Sequence, residues 1–525
     1  MAEQIAERLV TALTITEGNG ADQSAAKQLQ EWSDDLEKDL LSADSIPKFN
    51  EDTSNPSLVV NNAANKLHAS LIAALDSSLI DADGWSTDED AAEASLKAAS
   101  EVSAAVDPSN DDSDRLALIA ELLRAAGLFM RWYQTLQSAL GSTATNSTLR
   151  MKSEGMVLMC MNFIEIDLPT DRKLPDIPRF ASIYLFRATY GNDDATIAAR
   201  KIFVEKLDGC TCLMKALMKG DQPLSLIFSL VRNVHHLLSA HPSSIAKMDK
   251  AVEILAKDIP QESGAKHDLL EVLVATISWA FRSPDFPGDN SDRRADLALE
   301  ILRALFALDA GVSSRSQYSE NTMTQIGILL CDLLKLPNSD ARVFECKLAA
   351  VALLLNAPKE YAGYLAENGG IKPLVDIMAY QVAVVVVERT GSGAEDAAAV
   401  VPILLVLQKL AQANAAALQT VKDAVFPPDA EEVFQEKVKA EMINQTGQVK
   451  AKNMAPLDAP KGTLRWKLIL LMTWTESNVK RAACELLWTL CDDNPTQFVL
   501  RTGFGNAVHF LGIKGCVDLP AGVET

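Results

Sequence analysis

The chain has 525 residues, which is longer than one ordinary globular core and indicates either several domains or an open stack of repeats. Hydrophobic residues make up 48% of the chain and aromatic residues 6%, a composition that excludes a wholly disordered protein. The formal net charge is −21, from 49 basic and 70 acidic residues, and this argues against nucleic acid as the main partner.

The acidic charge is concentrated at the front of the chain. Residues 1–115 hold 24 acidic and 7 basic side chains, and we predict an acidic, helical N-terminal region there. Residues 1–15 match an amphipathic helix rather than a secretion signal, because no basic start precedes an apolar core. The longest apolar stretch, around residues 377–387, is shorter than the roughly 20 residues that cross a bilayer. We therefore expect a soluble, cytoplasmic protein without an integral membrane segment, which its partner can recruit to the plasma membrane.

Beyond residue 115, segment after segment places apolar residues at helical spacing, separated by breaks that contain Pro, Gly, Asn or Asp. Residues 294–308 are one such segment, and residues 115–140 are another. In the second, one face carries Leu116, Ile119, Leu122 and Leu123.

The β-branched run at residues 382–387 is the best strand candidate, but one run between helical patterns favours a buried helix segment or helix end. Helix pairs of about 40 to 47 residues are the unit of armadillo and HEAT stacks, and roughly ten would fit in this chain. We therefore predict an all-α, armadillo/HEAT-like solenoid. Its predicted parts are residues 1–115 as the N-terminal region, 116–515 as the solenoid with 465–515 as its last repeat, and 516–525 as a short tail.

Two segments suggest how the helices are joined. Residues 199–218 and 361–378 each place a glycine turn between two helical patterns, at Gly209 and Gly370. Because glycine has no Cβ, it allows a buried helix to start close to its neighbour. We expect close packing at both glycines.

The sequence contains no convincing catalytic or metal motif. Cys210 and Cys212 have no second pair of ligands nearby and are predicted to be core residues. His235 and His236 point about 100° apart on a helix, so a surface or helix-end role is favoured over metal binding for them and for His241. Since nucleotide-binding and hydrolase signatures are also missing, we expect a binding protein without a cofactor rather than an enzyme.

Residues 465–515 combine two helical patterns and an unusual turn in one register. The first helix carries K-L-x-x-L-M-T, the second carries V-K-R-x-A-x-E-x-L and ends in L-C, and a phenylalanine then precedes T-G-F-G-N-A. The residues concerned are Lys467, Leu468, Leu471, Met472, Thr473, Val479, Lys480, Arg481, Ala483, Glu485, Leu487, Leu490, Cys491, Phe498, Thr502, Gly503, Phe504, Gly505, Asn506 and Ala507.

This combination resembles the end of the helical domain in the synembryn family, which are cytosolic chaperones and exchange factors for heterotrimeric G-protein α subunits. Weaker similarity extends to residues 183–218, 298–306 and 400–428, whereas residues 1–140 are not recognisably similar. The resemblance implies a solenoid that binds a GDP-bound or nascent α subunit, displaces its C-terminal helix and so loosens the nucleotide site.

The resemblance also implies where the partner is held. Phe186, Arg303 and Phe306 are expected on the concave face that receives the C-terminal helix of the α subunit, and Asn162 is expected with them. Phe186 and Phe306 could equally be ordinary core residues. Phe504 is expected, with the neighbouring asparagine, to shape a turn rather than to touch the partner.

Two departures from the family pattern bear on activity. Where the family has basic residues before its V-x-P helix, this chain has Gly393, Ala394, Glu395 and Asp396, so a charge-based part of the grip is altered. The family continues past the Gly-Asn turn with an acidic regulatory tail and a further helix, whereas this sequence ends at Thr525. From this we expect binding and chaperoning rather than strong exchange. The alternatives are an armadillo-type scaffold or adaptor without exchange activity and, least favoured, an enzyme with its own substrate pocket.

Overall fold

The computed structural model describes residues 23–41, 113–140, 152, 154–165, 176–220, 222–258, 268–283, 286, 293–311, 320–338, 340–387, 394–428 and 461–516, together with Leu9. Every regular element in these ranges is helical, which confirms the all-α prediction. Most of the helix predicted at residues 1–15 and the tail beyond residue 516 lie outside them. The chain divides into two compact units, Met1–Ser313 and Ser314–Thr525.

The described helices of the first unit are α1 (Gln23–Leu41), α2 (Ser113–Leu140), α3 (Glu154–Glu165), α4 (Ile177–Thr189), α5 (Asp194–Lys201), α6 (Gly209–Met218), α7 (Leu224–Ala240), α8 (Ser243–Leu255), α9 (Leu269–Phe281) and α10 (Arg294–Gly311). A π-helical turn, Ile202–Lys206, follows α5, and a 3-10 turn, Ala256–Asp258, follows α8.

The helices of the first unit stack in two layers that follow the order of the chain. The first layer runs α2, α4, α7, α10, and each of these helices packs on the next. The second layer runs α3, α6, α8, α9 in the same way, and pairs such as α3 with α4 and α9 with α10 join the layers. This neighbour-to-neighbour stacking is the arrangement of a helical solenoid, as predicted.

The apolar periodicity of α2 faces the inside of this stack. Leu116, Ile119, Leu122 and Leu123 are all fully buried, which confirms the predicted face. The long amphipathic helix α1 packs against α2. The first layer therefore has a continuous apolar interior from α2 onward.

Glycine permits two close approaches between helices. A Cβ added to Gly209, at the start of α6, would lie 2.1 Å from Cε2 of Phe203, and one added to Gly370 would lie 2.7 Å from Cδ2 of Leu365. Both distances are far below van der Waals contact. The predicted role of the two glycines is confirmed.

The described helices of the second unit are α11 (Glu320–Lys335), α12 (Ala341–Asn356), α13 (Tyr361–Glu367), α14 (Ile371–Val387), α15 (Ala394–Ala413), α16 (Ala415–Val425), α17 (Leu464–Leu471), α18 (Ser477–Leu490), α19 (Pro495–Thr502) and α20 (Phe504–Ile513). Helices α12, α15 and α18 form one layer, and α11, α13, α14, α16 and α17 pack on them. The valine run at residues 382–387 belongs to α14, so the helical interpretation is confirmed and the strand alternative is wrong.

Several helix ends are closed by a basic side chain from a neighbouring helix. Lys409 of α15 donates to three carbonyl oxygens at the end of α12, the nearest being that of Ala357 at 2.5 Å. The buried Lys347 of α12 donates in the same way to the carbonyl of Leu336, just after α11. Each cation satisfies carbonyls that lack a partner within their own helix and faces the negative end of the helix dipole.

Within the described ranges, no single helix is both long and apolar enough to cross a membrane. One bent pair, Tyr361–Glu367 with Ile371–Val386, passes that test of length and composition when its two arms are counted together, although they meet at 95°.

Candidate protein-interaction site

One face of α7 carries a row of three side chains spaced by four residues, of which Phe228 is buried. Phe228, Arg232 and His236 repeat at the interval that puts side chains on one helical face. Since α7 packs between α4 and α10, this row lies beside the outward residues of both neighbours. Together with Phe186 and Tyr190 of the α4 end, these three residues form what we call the arginine–aromatic face.

Arg232 is at the centre of this face. Its guanidinium carbon lies 4.5 Å from the ring centroid of Phe186 and 5.7 Å from that of Phe228. The guanidinium carbon of Arg293, immediately before α10, also lies 4.2 Å from the centroid of the Phe228 ring. That of Arg187 lies 5.3 Å from the centroid of the Phe186 ring. Cations and rings therefore alternate across three helices, in contacts that are each worth about 0.5–2 kcal/mol.

The aromatic end of the face is tightly packed. Tyr190 stacks on Phe186 with ring centroids 5.0 Å apart and planes inclined by 27°. The His236 imidazole closes the group, 5.1 Å from Tyr190 and 5.8 Å from Phe186, and its Nε2 lies 2.7 Å from the carbonyl oxygen of Thr189. Burial lowers the pKa of His236 to about 4, so at neutral pH the ring is uncharged and its Nε2–H donates to that carbonyl.

Positive charge dominates the electrostatics of the face. Burial, and then the like charges of Arg232 and Arg131, lower the pKa of Arg187 to about 10. Two carboxylates of α10 lie nearby. Glu300 accepts from His235 at 2.9 Å and from Arg303 at 3.2 Å, and Asp296 accepts from Arg293 at 3.0 Å. The arginines outnumber these two acids, which favours a ligand that brings negative charge.

The structure places the four residues expected from the family resemblance on three helices. Phe186 is on α4 and only 7% exposed, yet it is part of the core and of the face at once, because Arg232 and Tyr190 cover its ring. Arg303 reaches the face through its ion pair with Glu300.

Phe306 and Asn162 are the other two residues expected from the resemblance. Phe306 is one turn beyond Arg303 on α10 and is 37% exposed, so its ring is accessible rather than core. Asn162 is half-buried on α3, a second-layer helix that packs on α4.

Three residues of the face were not singled out by the sequence: Tyr190, Phe228 and Arg232. The neighbouring Arg293 and Glu300 were not singled out either. A signal was present in α7, where an arginine and a histidine follow Phe228 at four-residue spacing in an otherwise apolar helix. The contribution of α4 and α10 could not be read from spacing, since it depends on which helices pack together.

The cysteines and histidines considered as metal ligands in the sequence are packed against other protein groups. Cys210 and Cys212 are buried in α6, as predicted, and burial raises the pKa of Cys210 to about 12. His235 faces Glu300 whereas His236 faces α4, so the two imidazoles diverge, and the surface or helix-end role predicted for His236 is replaced by packing within the face. Across the described ranges, no group of three or more His, Cys, Asp or Glu side chains could hold a metal ion.

The C-terminal Gly-aromatic-Gly-Asn turn joins α19 to α20. The Asn506 side-chain amide, in the first turn of α20, donates to the Thr502 carbonyl at 2.8 Å, and this bond ties the start of α20 to the end of α19. Phe504 opens α20 with its ring 43% exposed.

Curated proteins similar to this chain are named Chaperone Ric-8A. The protein from Macaca fascicularis is 26% identical over 256 residues, which cover 47% of this chain and 43% of that protein. The protein from Xenopus tropicalis is 41% identical over 73 residues, or 13% of this chain and 14% of that protein. The matched regions thus span less than half the length of these relatives.

Solved structures give only distant likenesses. A chain from a study of the phosphorylation switch between cadherin and β-catenin covers 97% of this chain and 96% of its own length, at 12% identity and a TM-score of 0.28. The crystal structure of SYS-1 covers 92% of this chain and 99% of its own length, at 11% identity and a TM-score of 0.22. TM-scores this low do not establish a shared fold.

The sequence match to a protein family is more extensive. The family model described as the guanine nucleotide exchange factor synembryn, Ric8, matches residues 196–520, a range that includes α6 to α20 and with them Arg232, Arg303 and the C-terminal turn. Because this match covers more than half of the chain, the protein belongs to the Ric8 synembryn family.

Proposed function

We propose that this protein binds the α subunit of heterotrimeric G proteins and acts on it as a chaperone and guanine nucleotide exchange factor. The arginine–aromatic face is the proposed contact surface, and the C-terminal helix of the α subunit is the proposed occupant. The observation that carries the proposal is the Arg232 guanidinium between the Phe186 and Phe228 rings, in the first helix layer of a family member.

The chemistry of the face suits an amphipathic helix that carries acidic groups. Arginine, tyrosine and other aromatic residues are the side chains that most often dominate the energy of protein interfaces. The rings of Tyr190 and Phe306 are accessible to apolar side chains, whereas Arg232 offers its guanidinium group to carboxylates. Helix-in-groove binding combines these two kinds of contact.

Exchange by this route requires no acid, base or nucleophile in the protein. A factor that binds the nucleotide-free α subunit more tightly than the GDP-bound form lowers the affinity for GDP by the same factor, because linkage is reciprocal. Holding the displaced helix would provide that preference. Tighter binding to an incompletely folded α subunit than to the GDP-bound form would account for chaperoning in the same way.

The proposal is tested with purified α subunit, either GDP-bound or nucleotide-free, and immobilised full-length protein. We expect binding to both forms, tighter for the nucleotide-free form, and faster release of fluorescently labelled GDP. The Phe186→Ala, Phe306→Ala double variant should lose most of the affinity. Phe504→Ala is the matched control, since Phe504 is an exposed ring in the second unit.

The outcomes separate the candidate functions. No binding to either form of any α subunit would overturn the proposal. Binding without faster GDP release would support the chaperone role and remove the exchange role. A scaffold or adaptor would be favoured if the double variant kept its affinity for α subunits but lost other partners.

A further inference from the structure

One buried guanidinium holds the backbone on both sides of Tyr190. Arg200 of α5 is 6% exposed; its Nε donates to the Thr189 carbonyl at 3.1 Å, and its Nη2 donates to the Gly191 carbonyl. Its Nη1 donates to the Ala240 carbonyl at 3.2 Å, at the end of α7. Arg200 therefore closes α4 and α7 together and fixes the segment between two flanking carbonyls.

The Tyr190 side chain projects from this fixed segment. The ring is 48% exposed, while one side stacks on Phe186 and an edge meets His236, which also bonds to the Thr189 carbonyl. An exposed aromatic ring whose backbone and stacking partner are already ordered loses little conformational freedom on binding.

Helix-end closure alone does not require this arrangement. Lys409 closes the end of α12 through three carbonyls, and no aromatic residue lies between the carbonyls that it binds. At the end of α4, the closing side chain Arg200 additionally holds the backbone of Tyr190, whose ring belongs to the arginine–aromatic face. Arg187 and Arg232 both lie on the Phe186 ring on which Tyr190 stacks, so the Tyr190 ring borders the cationic centre of that face.

We propose that Tyr190 is a contact residue for the partner, with Arg200 as its positioning residue. The proposed ligand is an apolar side chain of the partner helix, which packs on the exposed part of the Tyr190 ring while acidic groups of the same helix face Arg187 and Arg232. This inference rests on the proposed function, since it names a further contact for the same α subunit.

The first test compares dissociation constants for GDP-bound α subunit. Tyr190→Ala should weaken binding about tenfold or more, whereas Tyr190→Phe, which keeps the ring, should stay within about threefold of the wild type. Arg200→Lys retains a charge but loses the planar guanidinium that reaches three carbonyls in fixed directions, so we expect a several-fold loss of affinity. Lys409→Met is the matched control, because it opens a helix end in the other unit and should leave affinity unchanged.

The second test reports the position of the ring itself. In protein labelled with 3-fluorotyrosine, the Tyr190 fluorine resonance is identified by its loss in Tyr190→Phe. We expect this resonance to shift when α subunit is added. Without α subunit, it should move towards the position of unstructured tyrosine in the Arg200→Lys variant but not in the Lys409→Met variant. A purely structural role for Arg200 would not move one tyrosine resonance selectively.

Each failure has a distinct meaning. If the wild type binds and Phe186→Ala loses binding while Tyr190→Ala binds as tightly as the wild type, the Tyr190 assignment is wrong and the proposed function stands. If Arg200→Lys leaves the resonance in place, Arg200 does not position the ring. If the wild type binds no α subunit, the proposed function and this inference both fall.

Discussion

The guanidinium carbon of Arg232 lies 4.5 Å from the ring centroid of Phe186 and joins α7 to α4 on their outer surface. A lysine at this position would keep the charge but lose the planar group that stacks on the ring. We expect Arg232→Lys to weaken α-subunit binding about tenfold, which corresponds to roughly 1.4 kcal/mol. Isothermal titration calorimetry measures this, with Arg342→Lys in the second unit as the control. Equal affinities of Arg232→Lys and wild type would contradict the assigned role of the guanidinium plane.

The low pKa of His236 predicts acid sensitivity. The unfolded imidazole takes up a proton below pH 6.5, but burial keeps the folded one neutral down to about pH 4. Stability should therefore fall as the pH drops through this window, by up to about 3 kcal/mol from this group. Urea unfolding at several pH values between 7 and 4 should show a smaller loss for His236→Gln, which retains a donor for the Thr189 carbonyl. Parallel profiles for the two proteins would show that His236 does not carry the effect.

The close approach at Gly209 predicts a steric penalty for any side chain. In Gly209→Ala the new Cβ would meet the Phe203 ring, and we expect the free energy of unfolding to fall by about 1–3 kcal/mol. Gly220→Ala is the control, because a Cβ there has nothing within 4 Å, and its effect should stay within about 0.5 kcal/mol. Thermal unfolding of both variants separates the two cases. A Gly209→Ala variant as stable as the control would mean that α6 can shift away from Phe203 at little cost.

The eight cysteines should differ sharply in reactivity. Seven are buried, and burial raises the pKa of Cys484 to about 12 and of Cys491 to about 11, so their reactive thiolates are scarce at neutral pH. Cys516 is exposed. A thiol-reactive dye should therefore modify one site rapidly in the folded protein and all eight in urea, and Cys516→Ser should remove the rapid phase. Rapid labelling of more than one thiol would show that part of the core opens readily.

Local patterns in the sequence were sufficient to predict the all-α class and several of the described helices. The buried row Leu116, Ile119, Leu122 and Leu123 and the helix through the valine run followed from spacing and from flanking residues. The π-helical turn Ile202–Lys206 did not, because a helical pattern is the same whether its hydrogen bonds span four residues or five.

The candidate site could be predicted only in part. Phe186, Arg303 and Phe306 came from the family resemblance, and spacing alone could not show whether a phenylalanine in an apolar helix is core or surface. The structure answers that question differently for each ring, since Phe186 is 7% exposed and Phe306 is 37% exposed. Tyr190 and Arg232 gain their surroundings from contacts between α4 and α7, which lie far apart in the chain.

The basic side chains that close helix ends also constrain which helices such a protein can gain or lose in evolution. Lys409 secures the end of α12 and Lys347 secures the end of α11, so each helix is completed by a residue that lies on a later one. Removing the later helix but keeping the earlier one would leave the carbonyls without a donor, which would lower the free energy of unfolding by about 1–3 kcal/mol for each buried group. Insertions and deletions should therefore be tolerated when they add or remove a helix together with the helix that carries its closing lysine. Relatives of this protein should then differ by groups of helices rather than by single helices.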